Sequence, residues 1–216
     1  MKQDNKYHEL LKIFTGGNDI REWMRTPFLV GDKVCATDGK CIIAVPKFTD
    51  EFKDRTEKTK GVYPLWSNCN TRIELSKLRD AIANVPLLDC YDENETTCGA
   101  CSGEGEVEFE FDYNCQSYYR DIECPVCEGQ GIGYEKSKMP NGKKEMDLSG
   151  IIVIGKCSFL VSRILELIKV IETLELTDVF LINQTEPNKA NLFKLSDVEL
   201  LISTCIADDA KICAII

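Results

Sequence analysis

The period of the apolar positions changes several times along the chain, and each change marks an element. Tyr7, Leu10, Leu11 and Phe14 recur at i, i+3, i+4 and i+7, which predicts a short helix with one buried face. Gly16-Gly17 follows and is expected to stop it, in the left-handed conformation that suits glycine. From Pro27 the period shortens. "PFLVGDKVCATDGKCIIAVPK" reads as two or three strands separated by Gly-Asp and Asp-Gly turns. Asp50 to Gly61 is charged and nearly free of large apolar residues, so a solvated loop is expected. Thr71-x-x-Glu74 has the form of a capping box, and Leu75, Leu78, Ile82 and Val85 form the stripe of a second helix that Pro86 ends. Asp89 to Thr97 is acidic and polar and reads as a linker.

Val107, Phe109 and Phe111 then alternate with acids, a strand signature, and Tyr118 to Ile122 reads as the return strand. Asn141-Gly142, flanked by candidate strands, signals a hairpin. Ile151 to Ile154 is an apolar strand. Ser158 is placed to cap a long helix whose apolar stripe is Leu160, Ile164, Leu167, Ile168 and Ile171. Val179 to Ile182, Ala190 to Lys194 and Val198 to Ile206 read as strands, and the tail "KICAII" adds a last one. Helix-then-strands thus occurs twice. The order of elements predicts an α+β body made of two related halves, residues 1–92 and 147–216, with an inserted β-hairpin module over residues 93–146.

Composition adjusts this picture in three ways. No run approaches the ~20 apolar residues of a membrane span. The polar start "MKQDNKYHELL" has no signal-peptide core, so a cytoplasmic protein is expected. The net charge of −10, from 26 basic and 36 acidic residues, argues against a protein that coats nucleic acid, while leaving room for a basic patch. Twelve cysteines in 216 residues need explaining. Cys35, Cys41, Cys157, Cys205 and Cys213 sit among apolar neighbours, where a thiol packs as a small hydrophobe. Cys69, Cys90 and Cys115 stand alone and receive no role.

The remaining four are patterned. Cys98-x-x-Cys101-x-Gly103-x-Gly105 is repeated as Cys124-x-x-Cys127-x-Gly129-x-Gly131. A C-x-x-C turn aims two sulfurs at one point, and two such turns complete the tetrahedron that Zn²⁺ prefers. After each second cysteine the backbone must turn sharply so that N–H groups can reach the sulfurs, and the glycines stand where that turn falls. One structural zinc ion per chain is the expectation. The alternative chemistry is a dithiol redox centre, because a C-x-x-C turn can lower a cysteine pKa.

Two resemblances accompany these residues. The Cys-x-x-Cys-x-Gly-x-Gly repeat, over residues 97–133, resembles the cysteine-rich region of DnaJ-type chaperones, where four copies bind two zinc ions. Two copies here imply one zinc. "KVCATDGKCIIAVP" (Lys33 to Pro46) resembles a strand–turn–strand of DNA sliding clamps. "FLVSRILELIKVIE" and "DVFLINQTEPNKANLFKLSDVELLISTCI" are similar to the final helix and strands of a bacterial clamp subunit. The clamp resemblance implies helices facing a DNA channel. Lys77 and Arg79 on the second helix, and Arg163 and Lys169 on the third, are then the candidate phosphate contacts. The plainer account is that they line solvated helix faces, partly neutralised by Asp80, Glu166 and Glu172.

The usual catalytic constellations are absent. His8 is the single histidine, and no P-loop or dinucleotide-binding glycine pattern occurs. Asp38-Gly39 reads as a turn. The reading is a non-catalytic zinc-containing binding or scaffold protein with a clamp-like body, acting in DNA metabolism, with DNA or a protein as partner and self-association open to it. Two alternatives stand beside it: a zinc finger that binds exposed peptides, and a thiol–disulfide enzyme using Cys98/Cys101 or Cys124/Cys127.

Overall fold

The computed structural model describes residues 2–17, 19–59, 71–183, 190–206 and 209–216. They fall into two compact units. One, the body, combines Met1–Pro86 with Asp147–Ile216; the other, the insert, is Leu87–Met146.

The body contains α1 (Lys2–Ile13), β1 (Phe28–Val30), β2 (Lys33–Thr37), β3 (Cys41–Pro46), β4 (Thr71–Glu74) and α2 (Leu75–Ala83) before the insert. After it come β11 (Ile151–Ile154), β12 (Cys157–Leu160), α3 (Val161–Thr173), β13 (Asp178–Asn183), β14 (Asn191–Leu195), β15 (Val198–Ile202) and β16 (Ile212–Ile215). Seven strands form one sheet in the order β1-β2-β3-β15-β14-β13-β4, antiparallel throughout. The pairs β3–β15 and β13–β4 each join a strand from one side of the insert to a strand from the other. A second sheet, β12-β11-β16, has β16 parallel to β11.

The buried stripes explain these elements. On α1, Tyr7, Leu10 and Leu11 are buried, with Phe14 just beyond its end; on α3, Val161, Ile164, Leu167, Ile168 and Ile171 are. On α2 the buried positions are Leu78 and Ala81, with Val85 just beyond the helix, while Leu75 and Ile82 are half-buried. Strands β2 and β3 bury both faces. Val34, Ala36, Ile43 and Val45 face one way, and Cys35 and Ala44 pack with Phe28 on the other.

Several expectations are corrected. Thr71 and Glu74 are strand residues, and Ser158 and Leu160 belong to β12, so neither helix carries the anticipated side-chain cap. Each helix instead follows directly from a strand whose last residue, Glu74 or Leu160, is extended. The free N–H groups of the first turn find backbone carbonyls: Leu75 N–H donates to Thr177 O at 2.9 Å, and Val161 N–H to Gly150 O at 2.8 Å. Helix α1 ends without a left-handed glycine, for neither Gly16 nor Gly17 has positive φ; the Thr15 hydroxyl donates to Lys12 O at 3.1 Å. The stretch from Asp50 is fastened to the body, with Leu29 N–H donating to Lys53 O and Arg55 N–H to Leu29 O, and it holds a short 3-10 turn, Thr56–Thr59. Its final residues, 60 and 61, lie outside the described residues. Strand β15 stops at Ile202, short of Ile206.

The insert holds β5 (Leu87–Asp89), β6 (Glu93–Thr97), β7 (Glu106–Tyr113), β8 (Gln116–Glu123), β9 (Ile132–Lys136) and β10 (Lys144–Met146), in the pairs β5–β10, β6–β9 and β7–β8. The acidic stretch from Asp89 to Thr97 is therefore largely strand. Asn141-Gly142 makes a turn without making a hairpin, because the strands flanking it pair with β6 and β5 and not with each other. The β7–β8 hairpin forms as the alternation predicts.

Candidate metal centre and binding groove

In the insert, Cys98 follows β6 directly, Cys124 follows β8 directly, and Cys101 and Cys127 stand on the turns after them. Their four sulfurs all lie within 4.8 Å of one another and all four side chains are buried. Cys98 Sγ is 3.9 Å from Cys124 Sγ, and Cys101 Sγ is 3.7 Å from Cys127 Sγ. A disulfide needs about 2.05 Å. Four sulfurs at about 2.3 Å from a zinc ion stand about 3.8 Å apart. The cluster has the spacing of a tetrahedral ligand set and could hold a metal ion.

The two repeats match bond for bond. Gly105 N–H donates to Cys101 Sγ at 3.3 Å, and Gly131 N–H to Cys127 Sγ at 3.2 Å. Each repeat also ties its first cysteine to the other repeat: Cys98 N–H donates to Gly131 O at 2.9 Å, and Cys124 N–H to Gly105 O at 2.7 Å. Ser102 and Glu128, the residues after the second cysteines, both have φ near +50°. Glycine is required at the crossing. A Cβ on Gly105 would meet Gly129 O at 2.4 Å, and one on Gly131 would meet Gly103 O at 2.3 Å; all four of these glycines have positive φ. Burial pushes the Cys127 thiol up to about 11, against the Gly131 N–H, while the N–H groups of Cys101 and Ala100 hold Cys98 below the ordinary thiol value. N–H groups aimed at sulfur favour thiolate, the form that binds metal.

The other cysteines divide as well. Cys35, Cys41 and Cys157 are buried, Cys90, Cys205 and Cys213 are half-buried, and Cys115 is exposed; Cys69 lies outside the described residues.

The four candidate phosphate contacts occupy different surroundings. Lys77 and Lys169 are exposed on α2 and α3, and among the described residues neither forms an ion pair. Arg79 Nη2 donates to Glu172 Oε1 at 2.7 Å across the two exposed helix faces. Arg163 is turned inward, its side chain 13% exposed, with Nη1 at 2.6 Å from Asp38 Oδ2 and 2.8 Å from Glu166 Oε2. Asp38 also accepts the N–H groups of Lys40 and Cys41, which fixes the Asp38-Gly39 turn. Partial burial raises its carboxyl, but those N–H groups and Arg163 outweigh burial and leave it below the usual carboxylate range.

On the β1–β3 edge of the body, that same turn borders a groove of about 550 Å³. Trp23, Phe28, Ile42 and Leu201 supply its apolar lining, and Arg21, Lys40, Arg55 and Lys58 its cations. Arg55 lies 5.5 Å over the Trp23 ring, and Arg21 is clamped by Asp19. On this acidic chain it is a local concentration of positive charge beside aromatic surface. Sequence reasoning missed it, because its residues come from separated segments; the charged run from Asp50, which supplies Arg55 and Lys58, was the available signal.

The fold of the chain resembles that of DNA sliding clamps. No family model and no curated protein matches the chain. Among solved structures it is similar to a DNA polymerase sliding clamp from Pseudomonas aeruginosa, with TM-score 0.51 and 12% identity over 95% of this chain and 65% of that one. The DNA polymerase III subunit beta of the same organism gives 0.50 and 12% over 95% and 64%. The C. crescentus beta sliding clamp gives 0.50 and 8% over 95% and 64%. At such identities the likeness is one of fold, and the chain spans less than two thirds of the length of these clamp chains. Among the described residues no helix is long and apolar enough to cross a membrane.

Proposed function

We propose that this chain is a non-catalytic, cytoplasmic scaffold protein of DNA metabolism. In this reading the clamp-like body engages DNA and a partner protein, and one zinc ion on Cys98, Cys101, Cys124 and Cys127 holds the insert together. The observation that carries the reading is the likeness in fold to sliding clamps along nearly the whole chain. The groove over β1–β3 supports it, being bounded by the Thr37-Asp38-Gly39 turn through which the sequence resembles clamps. It offers a partner protein an apolar floor with cations around it. Of the four candidate phosphate contacts, Lys77 and Lys169 pair with no carboxylate among the described residues, Arg79 is shared with Glu172, and Arg163 serves the Asp38 turn.

The zinc reading rests on the sulfur spacing and on the paired N–H···S bonds. Metal analysis should give one zinc per chain, with four thiols shielded from alkylation until a chelator is added. A disulfide between Cys98 and Cys101, or between Cys124 and Cys127, would favour the thiol–disulfide enzyme instead. The DNA reading predicts binding to duplex that weakens as salt rises, with a shallower salt slope for Lys77→Glu/Lys169→Glu. Absence of binding at low salt, in every oligomeric state found by sedimentation, would overturn it. Ile42→Glu should leave DNA binding intact and abolish capture of proteins by a photocrosslinker placed at Lys40.

A further inference from the structure

The β7–β8 ribbon of the insert meets the cysteine cluster at its base, where Val107 packs against the four thiols, and extends beyond it. Along β7, Glu106, Glu108, Glu110 and Asp112 fall on one face and Val107, Phe109, Phe111 and Tyr113 on the other, because successive side chains alternate. The register carries the division onto β8 in part, with Tyr119 opposite Glu110 on the acidic face and its hydroxyl donating to Glu110 Oε1 at 3.0 Å. Phe109 faces Arg120, Phe111 faces Tyr118 and Val107 faces Ile122, while Glu108 faces Asp121 and Glu106 faces Glu123. Phe109, Phe111, Tyr113 and Tyr118 are each at least half exposed, and the Phe111 and Tyr113 rings stack at 6.4 Å with planes 9° apart.

Among the described residues no third strand joins this ribbon. An open strand edge leaves unpaired N–H and C=O groups, a template for another strand. The outer edge of β7 combines that template with a two-sided code. A strand added there would set alternate residues against a row of four carboxylates about 6.8 Å apart, and the intervening residues against the aromatic row.

We propose that the free edge of β7 takes up an extended basic segment of a partner protein as a third strand. Lys or Arg at alternate positions would lie beside Glu106, Glu108, Glu110 and Asp112, and apolar side chains between them would lie beside Phe109, Phe111 and Tyr113. Charge selects this occupant. Single-stranded nucleic acid could stack on the aromatic row beside Arg120, but it has no peptide N–H and C=O ladder to match the free edge, and the six carboxylates of the two strands, on the opposite face, surround that single cation with negative charge. A second copy pairing edge to edge would set one carboxylate row opposite another, which is destabilising.

The test uses the full chain as purified and a short labelled peptide of alternating lysine and valine, read by fluorescence anisotropy. Saturable binding that weakens with salt is expected, at least about tenfold tighter than for the matching glutamate–valine peptide. Glu108→Lys/Glu110→Lys should reverse that preference, and Phe109→Ser/Phe111→Ser should weaken both peptides. Because these side chains are exposed, the variants should keep the metal content and circular dichroism of the parent. A measurement that leaves the protein untouched accompanies them: the lysine–valine peptide N-methylated at every residue has no N–H for a ladder on either edge and should not bind. Equal affinity for the two charge types, or undiminished binding of the methylated peptide, would overturn the proposal. So would single-stranded DNA binding, or self-association, that the Phe109/Phe111 variant abolishes.

Discussion

In the body, Phe14, Ile43, Leu78, Ile164, Phe159 and Phe193 are fully buried on helices and strands from both sides of the insert; between Leu87 and Met146 the buried hydrophobic positions are Cys98, Cys101, Cys124 and Cys127 alone. The body draws on an area-proportional effect, roughly 25 cal/mol per Å² of apolar surface, spread over many side chains. The insert has three two-stranded sheets, each marginal by itself in water. Its burial is concentrated on four sulfurs. Damage should therefore be graded in one region and abrupt in the other.

The sharpest way to break the comparison is Cys101→Ser. Structural zinc contributes on the order of 10 kcal/mol to the segment it ties. The variant should lose its metal and its insert structure while the body keeps a cooperative thermal transition; amide exchange mapped by residue would show this. Unfolding of the whole chain would mean the two regions share a core. Next, Phe193→Ala should cost the body about 4 kcal/mol in denaturant unfolding and leave zinc stoichiometry unchanged. Gly131→Ala should cost about 2 kcal/mol, expressed as weaker zinc retention against a chelator, because its Cβ runs into Gly103 O and the residue needs positive φ.

Arg163→Met should destabilise the body by about 2 kcal/mol, since Asp38 and Glu166 lose the cation between them. The same cluster gives a pH signature. The folded Asp38 carboxyl lies below its ordinary value, so its contribution is present above the usual carboxylate pKa near 4 and is lost as pH falls through the lower folded value. Denaturation midpoints followed downward from neutral pH should show an acid decline that Asp38→Asn removes. The smallest effect is expected for Arg79→Ala, about 0.3 kcal/mol, because its pair with Glu172 is exposed on both sides.

What could be read from the sequence follows the distance over which each feature is built. The convergence of the four cysteines was legible because all of them stand in one short segment with fixed spacing, and a β-hairpin brings the two turns together. The strands of Phe28 to Pro46 were legible through alternation and an Asp-Gly turn whose partners are adjacent. The helix starts were misread for the opposite reason. Thr71, Glu74 and Ser158 look like caps, but the carbonyls that satisfy those helices belong to Thr177 and Gly150, which no local pattern announces. Asn141-Gly142 was misread because Lys144–Met146 pairs with Leu87–Asp89, far upstream. Beyond the charged run from Asp50 the groove has no linear signature, since Trp23, Arg55 and Leu201 meet only after the sheet has formed.

One bond at the base of the insert has a wider consequence. Asp147 N–H donates to Pro86 O at 3.0 Å, so the chain leaves the body and returns to it at adjoining points. Strands β4 and β13 can therefore pair whatever the intervening segment is doing, and closing that gap costs no more than closing a tight turn. Excision of residues 87–146 in favour of a brief glycine–serine bridge should yield a soluble, smaller protein. By the same geometry, lobes of other shapes could be grafted at this junction without redesigning the sheet that carries it.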